Sequence, residues 1–316
     1  MGRTRPLLST NRIKQSFGRY RLFAGWLMGA LLTLTILPGA ATAETLILGQ
    51  VSDRPKKDFK QLLPMARFMA DRLQQYGFDN ARVQLYDSAD ALIKAVKQGE
   101  VHWISETPYT SARLLQETGS RPLVKKWKNG QRQYQTLIFT LKQRDIRSLQ
   151  ELVGQRIAFE HPDSFSSYLL PRRILENNGL SLVELERPED PVPEGKVGYL
   201  FSRNEKNNAL WVDKQIVAAG ALNNGDWQDP SRVTPGMQEH FRVIHRSDFY
   251  PRAFELATPA LAADAAEALQ QELLALDQDK YAGLLARYEN SKGFSPVDEQ
   301  DLSFLKALIE RGTQAQ

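Results

Sequence analysis

From residue 44 onward the chain alternates short apolar runs with amphipathic stretches of helical period. "TLILGQV" (45–51) is apolar at nearly every position, the pattern of a strand buried on both faces. "KQLLPMARFMADRLQQYG" (60–77) spaces its apolar residues for one face of a helix. "ARVQLYD" predicts a second strand, and "SADALIKAVKQGE" a helix capped by Ser88. "VHWISE" (101–106) and "PYTSARLLQETG" add a third strand and helix. This β-α rhythm predicts a mostly parallel sheet with helices on both faces.

The pattern then restarts. "RQYQTLIFTLKQR" (132–144) reads as a longer strand, and "LQELVGQRIAFE" as a short helix and a buried strand. A helix over 164–178 closes at Gly179, and a loose stretch with Pro188, Pro191 and Pro193 precedes the strand "KVGYLFS". A helix at 205–213 and the strand "IVAAGAL" (216–222) complete a second α/β unit. "HFRVIHRSDFYPRAFELAT" predicts strand, turn and strand, and the last 58 residues three helices. Crossings between the units fall near 140–145 and 247–253. The fold expected is therefore an α/β two-lobed clamshell, each lobe a mostly parallel sheet flanked by helices, joined by two hinge strands. Lobe one takes 44–140 plus 252–316, and lobe two, inserted, takes 141–251. Ligands of open α/β sheets bind at strand carboxyl ends, here the facing edges of the lobes.

The first 43 residues stand apart. Arg3, Arg5, Arg12, Lys14, Arg19 and Arg21 occur without an acid, followed by the apolar run Leu22–Gly39 and an A-x-A ending at Ala43. These are the three parts of a Sec-type secretory signal, cut after Ala43 to leave a soluble protein in the periplasm. Eighteen apolar residues almost span a bilayer, so an uncleaved anchor is the competing reading; Pro38, Gly39 and the A-x-A favour cleavage.

Removing the leader changes the charge. The chain has 41 basic and 37 acidic residues; without the leader's six bases, 35 face 37. The basic balance thus belongs to the leader and gives no reason to expect nucleic acid. There is no cysteine, which excludes disulfides, thiol catalysis and zinc–thiolate sites. His102, His161, His240 and His245 show no metal-ligand spacing, and neither a metal nor another cofactor is expected.

Candidate chemistry centres on "FEHPDSFSSYLLPRR" (159–173). Ser164, Ser166 and Ser167 fall where a strand gives way to a helix, at a cleft edge. Hydroxyls beside free amides at a helix N-terminus suit an anion with several oxygens; an ordinary cap at Ser164 with two further serines is the plain alternative. Glu106 ends the strand "VHWISE" opposite them. As a cleft acceptor it requires a ligand that carries a proton or an amine; otherwise it serves the helix that starts at Pro108. Thr107 and Tyr109 offer hydroxyls, Tyr134 and Tyr168 offer walls, and core packing competes for each tyrosine. Asn223 and Asn224 are cleft-edge amides or simple turn residues.

The chain resembles the periplasmic binding proteins of phosphate/phosphite/phosphonate ABC transporters. "AFEHPDSFSSYLLPRRILENNGL" resembles the family motif A-F-x-D-P-x-S-T-S-G-Y-x-L-P, and "GEVHWISETPYTSARLLQE" resembles G-x-V-D-W-V-x-E-T-P-F. "KKWKNGQRQYQTLIFTLK", "VGYLFSRNEKNNALWV" and "AAGALNNGDW" match in order beyond them. The resemblance implies a clamshell that binds a small oxyanion and hands it, as a monomer, to an inner-membrane permease. It also implies that the serine turn holds that anion. Three positions depart from the pattern. Phe165 replaces the middle threonine, with Ser167 in place to restore a hydroxyl; His161 stands at the first acidic position, and Val217 where lobe two often has an aspartate.

Two other readings compete. A sensor subunit would use the same clamshell and ligand but dock to a membrane receptor kinase. A hydrolase with Ser164 or Ser166 as nucleophile and His161 as base lacks a G-x-S-x-G elbow.

Overall fold

The structure, a computed structural model, describes residues 44–310. The predicted leader lies outside the described residues. The chain runs β1 (Glu44–Val51), α1 (Pro55–Arg72), β2 (Phe78–Tyr86), α2 (Ala89–Lys97), β3 (Trp103–Glu106), α3 (Pro108–Thr118) and β4 (Arg121–Lys126). Next come β5 (Gln133–Tyr134), β6 (Thr136–Leu141), β7 (Arg156–Phe159), α4 (Leu170–Asn177), β8 (Ser181–Glu184), β9 (Lys196–Phe201) and α5 (Glu205–Asp213). They are followed by β10 (Ala219–Asn223), α6 (Asn224–Gln228), α7 (Pro235–His240), β11 (Phe241–Arg246), β12 (Tyr250–Pro251) and β13 (Ala253–Ala257). The C-terminal part holds α8 (Ala263–Leu274), α9 (Gln278–Arg287), β14 (Phe294–Pro296) and α10 (Glu299–Glu310). Pro55 opens α1, where its missing N–H costs nothing, and the Ser88 hydroxyl caps α2 as its sequence predicts.

Two six-stranded sheets result, ordered β14-β4-β13-β3-β1-β2 and β11-β6-β10-β7-β9-β8. Around β1 and β7 the pairing is parallel, and helices cover both faces. This is the two-lobed α/β architecture. The carboxyl ends of β1, β3 and β4 meet those of β7 and β10 across one cleft, whose wall carries Val51, Glu106, Lys126, Glu160 and Asn223.

The expected boundary between the lobes is corrected. β5 pairs with β12, Tyr134 opposite Tyr250, as a two-stranded ribbon between the sheets. β6 pairs with β10 and β11, so residues 136–140, expected in lobe one, belong to the second sheet, and the crossing precedes 140–145. Gln135 breaks the predicted long strand: its N–H donates to Asn224 Oδ1 at 3.0 Å and its carbonyl accepts from the Asn224 N–H at 3.0 Å. Satisfied by a turn instead of a strand, Gln135 lets the chain change sheets. Ile216 and Val217 fall before β10, and "RPLVKK" and Phe294–Pro296 form strands that the periodicity does not announce.

The serine segment also differs from a plain helix. Phe165–Leu169 forms a wide turn in which the Leu169 N–H donates to the Ser164 carbonyl at 2.9 Å. Pro171 has no N–H for the Ser167 carbonyl, which accepts from the Glu160 N–H at 3.1 Å instead. That bond ties the turn to the end of β7, and α4 follows from Leu170.

Apolar side chains pack on both faces of each sheet. One cluster joins the lobes: Phe165 is 1% exposed and packs on Tyr134, Tyr250 and Phe304 at 5.8–6.2 Å between ring centres. The departure at Phe165 loses a hydroxyl and gains this contact to the hinge and to α10.

Candidate functional site

Six of the nine residues expected at the site line a single cavity of about 120 Å³ between the lobes: Glu106, Thr107, Tyr134, Ser164, Ser166 and Asn223. Three lie elsewhere. Ser167 is fully buried with its hydroxyl unpartnered and off the cavity wall, so it does not restore the hydroxyl lost at Phe165. Tyr168 packs among Phe159, Tyr199 and Phe201, and its hydroxyl accepts from Arg172 at 2.8 Å. Half-buried Tyr109 packs against an apolar cluster. For both tyrosines the core reading holds.

On the lobe-two wall the Ser164 hydroxyl accepts from the Ser167 N–H at 3.1 Å, the cap its sequence predicts, and lies within hydrogen-bonding reach of Glu160. The Ser166 hydroxyl faces Tyr134, and the Ser166 carbonyl accepts from Thr136 at 2.7 Å. The amides of Phe165 and Ser166 open the turn, where no carbonyl of the turn can accept from them. Asn223 caps α6 through Oδ1, at 2.9 Å from the Gly225 N–H and 3.0 Å from the Asp226 N–H, and its amide donates to Asp226. Asn223 thus makes the turn and also lines the cavity.

Glu106 does not cap α3. One carboxylate oxygen accepts from the Val51 N–H at 2.7 Å and the other from the Thr107 N–H at 3.0 Å, which fixes the group at the ends of β1 and β3. Burial pushes its pKa up to about 7 against those two bonds and the Lys128 charge. Each oxygen keeps a lone pair for the cavity. The Thr107 hydroxyl and the side-chain Oε1 of Gln50 are buried on the same wall without a partner. An orphaned buried polar atom costs about 1–3 kcal/mol, so these two are positions a ligand is suited to satisfy.

Several charged groups on the lobe-two wall had no local signal in the sequence. Glu160 and Glu205 face each other; burial and the Glu205 charge hold Glu160 well above its ordinary pKa. Burial opposes ionising Glu205, but Arg232 and the hydrogen bond from Glu160 bring it down to about 2. Asp226, 3.1 Å from Arg232, is raised to about 7 by burial and by Glu205. The two carboxyl groups are thus pushed in opposite directions, and Arg232 pairs with Glu205 and Asp226. Val217, at the position where an aspartate was expected, lies in the core of lobe two; Glu160, Glu205 and Asp226 supply the carboxyl groups of this wall instead. Only tertiary structure places them, since they come from the end of β7, the start of α5 and α6.

Lobe one adds a buried ionic floor. Lys126, inaccessible to solvent, donates to Glu289 at 2.6 Å and stands 3.2 Å from Glu255; Lys128 meets the other oxygen of Glu289 at 2.6 Å. Arg252 completes the wall. It is 8% exposed, and its guanidinium lies 4.4 Å from the centre of the Tyr134 ring. Overall more carboxyl groups than Lys or Arg side chains line the cavity, so no general positive field holds an anion there.

No Ser–His pair of a nucleophile and its base is present among the described residues: His161 is 3.8 Å from Glu160, and Ser164 engages Ser167 and Glu160. Nor is any group of three or more His, Asp or Glu placed to hold a metal ion among the described residues.

No curated protein matches the chain in sequence. Among solved structures, XAC2383 from Xanthomonas citri bound to chloride is 31% identical, with 86% of this chain and 99% of that chain covered and a TM-score of 0.81. The same protein bound to ATP is 30% identical over 85% and 98% of the two chains, with a TM-score of 0.80. PhnD1 from Prochlorococcus marinus in complex with methylphosphonate shares the fold at 15% identity, with 86% and 100% covered and a TM-score of 0.62. The family model for the periplasmic substrate-binding protein of phosphonate ABC transporters matches residues 48–302. The chain belongs to that family of periplasmic substrate-binding proteins.

Proposed function

We propose that this protein captures a phosphorus oxyanion, such as phosphate, phosphite or a phosphonate, in the interlobe cavity and delivers it to an ABC permease. The observation that carries this is the opposition of two walls. Lobe two offers donors, the Ser164 and Ser166 hydroxyls and the opening amides of the serine turn, while lobe one offers the Glu106 carboxylate and the unpartnered side-chain oxygens of Gln50 and Thr107. A tetrahedral anion that carries both bare and protonated oxygens satisfies both walls. A cavity of about 120 Å³ closed between the two walls suits a small tetrahedral ion.

A specific observation favours a second, larger ligand. A groove of about 890 Å³ shares Asp53, Arg54, His161, Asp163 and Arg232 with the cavity, and the 30% identical XAC2383 is found bound to ATP. A phosphate ester would seat its phosphoryl end in the cavity and its body in the groove.

Calorimetry with methylphosphonate, phosphite, phosphate, ATP and sulfate tests the proposal. Binding of at least one phosphorus compound is expected, with sulfate at least about 100-fold weaker at pH 8, where Glu106 is ionised, because sulfate offers it no proton and a like-charge contact costs several kcal/mol. No binding of any phosphorus compound at millimolar concentration defeats it.

Glu106 also predicts a pH dependence. Its folded pKa lies above the unfolded value, so its stabilising contribution is complete below about pH 4.5 and disappears as pH rises through about 7. Glu106→Gln lacks that titration. Wild type should therefore lose up to about 3 kcal/mol relative to the variant between pH 4.5 and 8, read from denaturant midpoints at each pH. In calorimetry the variant should also discriminate less against sulfate. A constant stability gap and an unchanged phosphate-to-sulfate ratio would remove Glu106 from the site.

A further inference from the structure

Most cations on the cavity wall already have a carboxylate. Lys126 and Lys128 have Glu289, Arg232 has Glu205 and Asp226, and Arg54 has Asp53. Arg252 differs. No ion pair or hydrogen bond of its guanidinium is formed among the described residues, and Nε is buried without a partner. Its backbone N–H donates to the Arg132 carbonyl at 3.1 Å, and its charge rests on the face of Tyr134. A guanidinium keeps its proton under all ordinary conditions, and a buried charge without a counter-charge is costly. Asp226, the acid it bears on electrostatically, is engaged by Arg232 and Asn223.

We propose that Arg252 is the counter-ion of the bound anion and the residue that makes binding depend on the ligand's charge. The inference rests on the reading that the cavity takes a phosphorus oxyanion, and it names the group that neutralises it. The guanidinium suits the task because its planar fork matches two oxygens of one phosphoryl group. Its place adds a mechanical role. Arg252 directly follows the hinge strand β12 and stacks on Tyr134 of the opposite hinge strand β5. An anion between Arg252 and the serine turn joins the hinge to lobe two, while Glu106 engages it from lobe one.

The test compares wild type with Arg252→Lys, Arg252→Gln and Arg252→Met, using methylphosphonate, phosphate and ATP as probes at low and high sodium chloride. For each probe that wild type binds, Arg252→Met and Arg252→Gln should weaken affinity about 10- to 150-fold, and Arg252→Lys should recover part of the loss. Salt should weaken wild type more steeply than Arg252→Gln, a difference that a purely structural arginine would not produce. Arg252→Gln and Arg252→Lys keep a long side chain and serve should Arg252→Met fail to fold. Equal affinities and equal salt dependence for wild type, Arg252→Lys and Arg252→Gln overturn the inference while leaving the phosphorus-oxyanion reading intact. If wild type binds none of the probes, that earlier reading fails instead.

Discussion

Replacing Ser164 and Ser166 together by alanine is expected to weaken phosphorus-oxyanion binding by roughly 10²- to 10⁴-fold. Each hydrogen bond to a charged group contributes about 1.5–3 kcal/mol, and the loss of two compounds unless the remaining contacts rearrange. The two serines should separate in stability. Ser164 caps the turn by accepting from the Ser167 N–H, so Ser164→Ala should also cost about 0.5–2 kcal/mol of folding free energy. Ser166 accepts no such bond, and its carbonyl contact with Thr136 survives truncation of the side chain, so Ser166→Ala should change affinity with little change in melting temperature. Ser167→Ala is the internal control. Its hydroxyl is buried, unpartnered and off the cavity, so affinity should stay within about twofold and stability should hold or rise. Affinity retained within twofold by the double variant would take the serine turn out of the site.

The difference among these three serines shows what can be read from sequence. A strand end, a serine run and a proline are local, and they place the turn at a cleft edge without any tertiary information. Which hydroxyl faces the cleft depends on the wide turn, and that depends on Pro171 leaving the Ser167 carbonyl for Glu160. Glu106 was legible for the same reason as the serines, as the last residue of a buried strand. Arg252 was not. In "FYPRAFELAT" it looks like a turn arginine, and only the pairing of Tyr134 with Tyr250 buries it on the cavity wall. The lobe boundary failed similarly: the apolar pattern of 132–141 is continuous, while the switch at Gln135 is made by a backbone partner far along the chain, Asn224. Glu205 begins α5 and Asp226 lies in α6, so each reads as an ordinary first-turn acid until Arg232 gathers both.

Lys126→Met is expected to destabilise the protein by about 3–5 kcal/mol, lowering the melting temperature by roughly 6–20 °C. Lys126 is wholly buried and uses its three donors on Ser105, Glu255 and Glu289, with the Tyr288 ring 4.4 Å away. Glu255 in turn accepts from Trp103 at 2.6 Å, Ser105 at 3.0 Å and Tyr288 at 2.9 Å. Methionine fills most of the volume but leaves two buried carboxylates short of a cation. Burial favours the protonated form of Glu289, yet Lys126 and Lys128 hold its pKa well below the usual range, so losing Lys126 reverses much of that balance. Adding Glu255→Gln removes one uncompensated charge while keeping its acceptor for Trp103 or Tyr288, so the double variant should be less impaired than the two single losses sum to. The consequence reaches the cavity, because Glu289 also binds Lys128 and accepts from the Gln50 amide at 3.3 Å. Glu289 and Asn290 both hold the left-handed backbone, at φ 51° each, a conformation that costs non-glycine residues about 1–2 kcal/mol apiece. The ion pairs with Lys126 and Lys128 offset that cost and fix the loop against the cavity floor. Lys126→Met should therefore weaken ligand binding even at temperatures where it is fully folded, through the loosened Gln50 and Lys128. A variant that melts within about 2 °C of wild type and binds phosphate or methylphosphonate as tightly would show that the floor neither stabilises the lobe nor shapes the site.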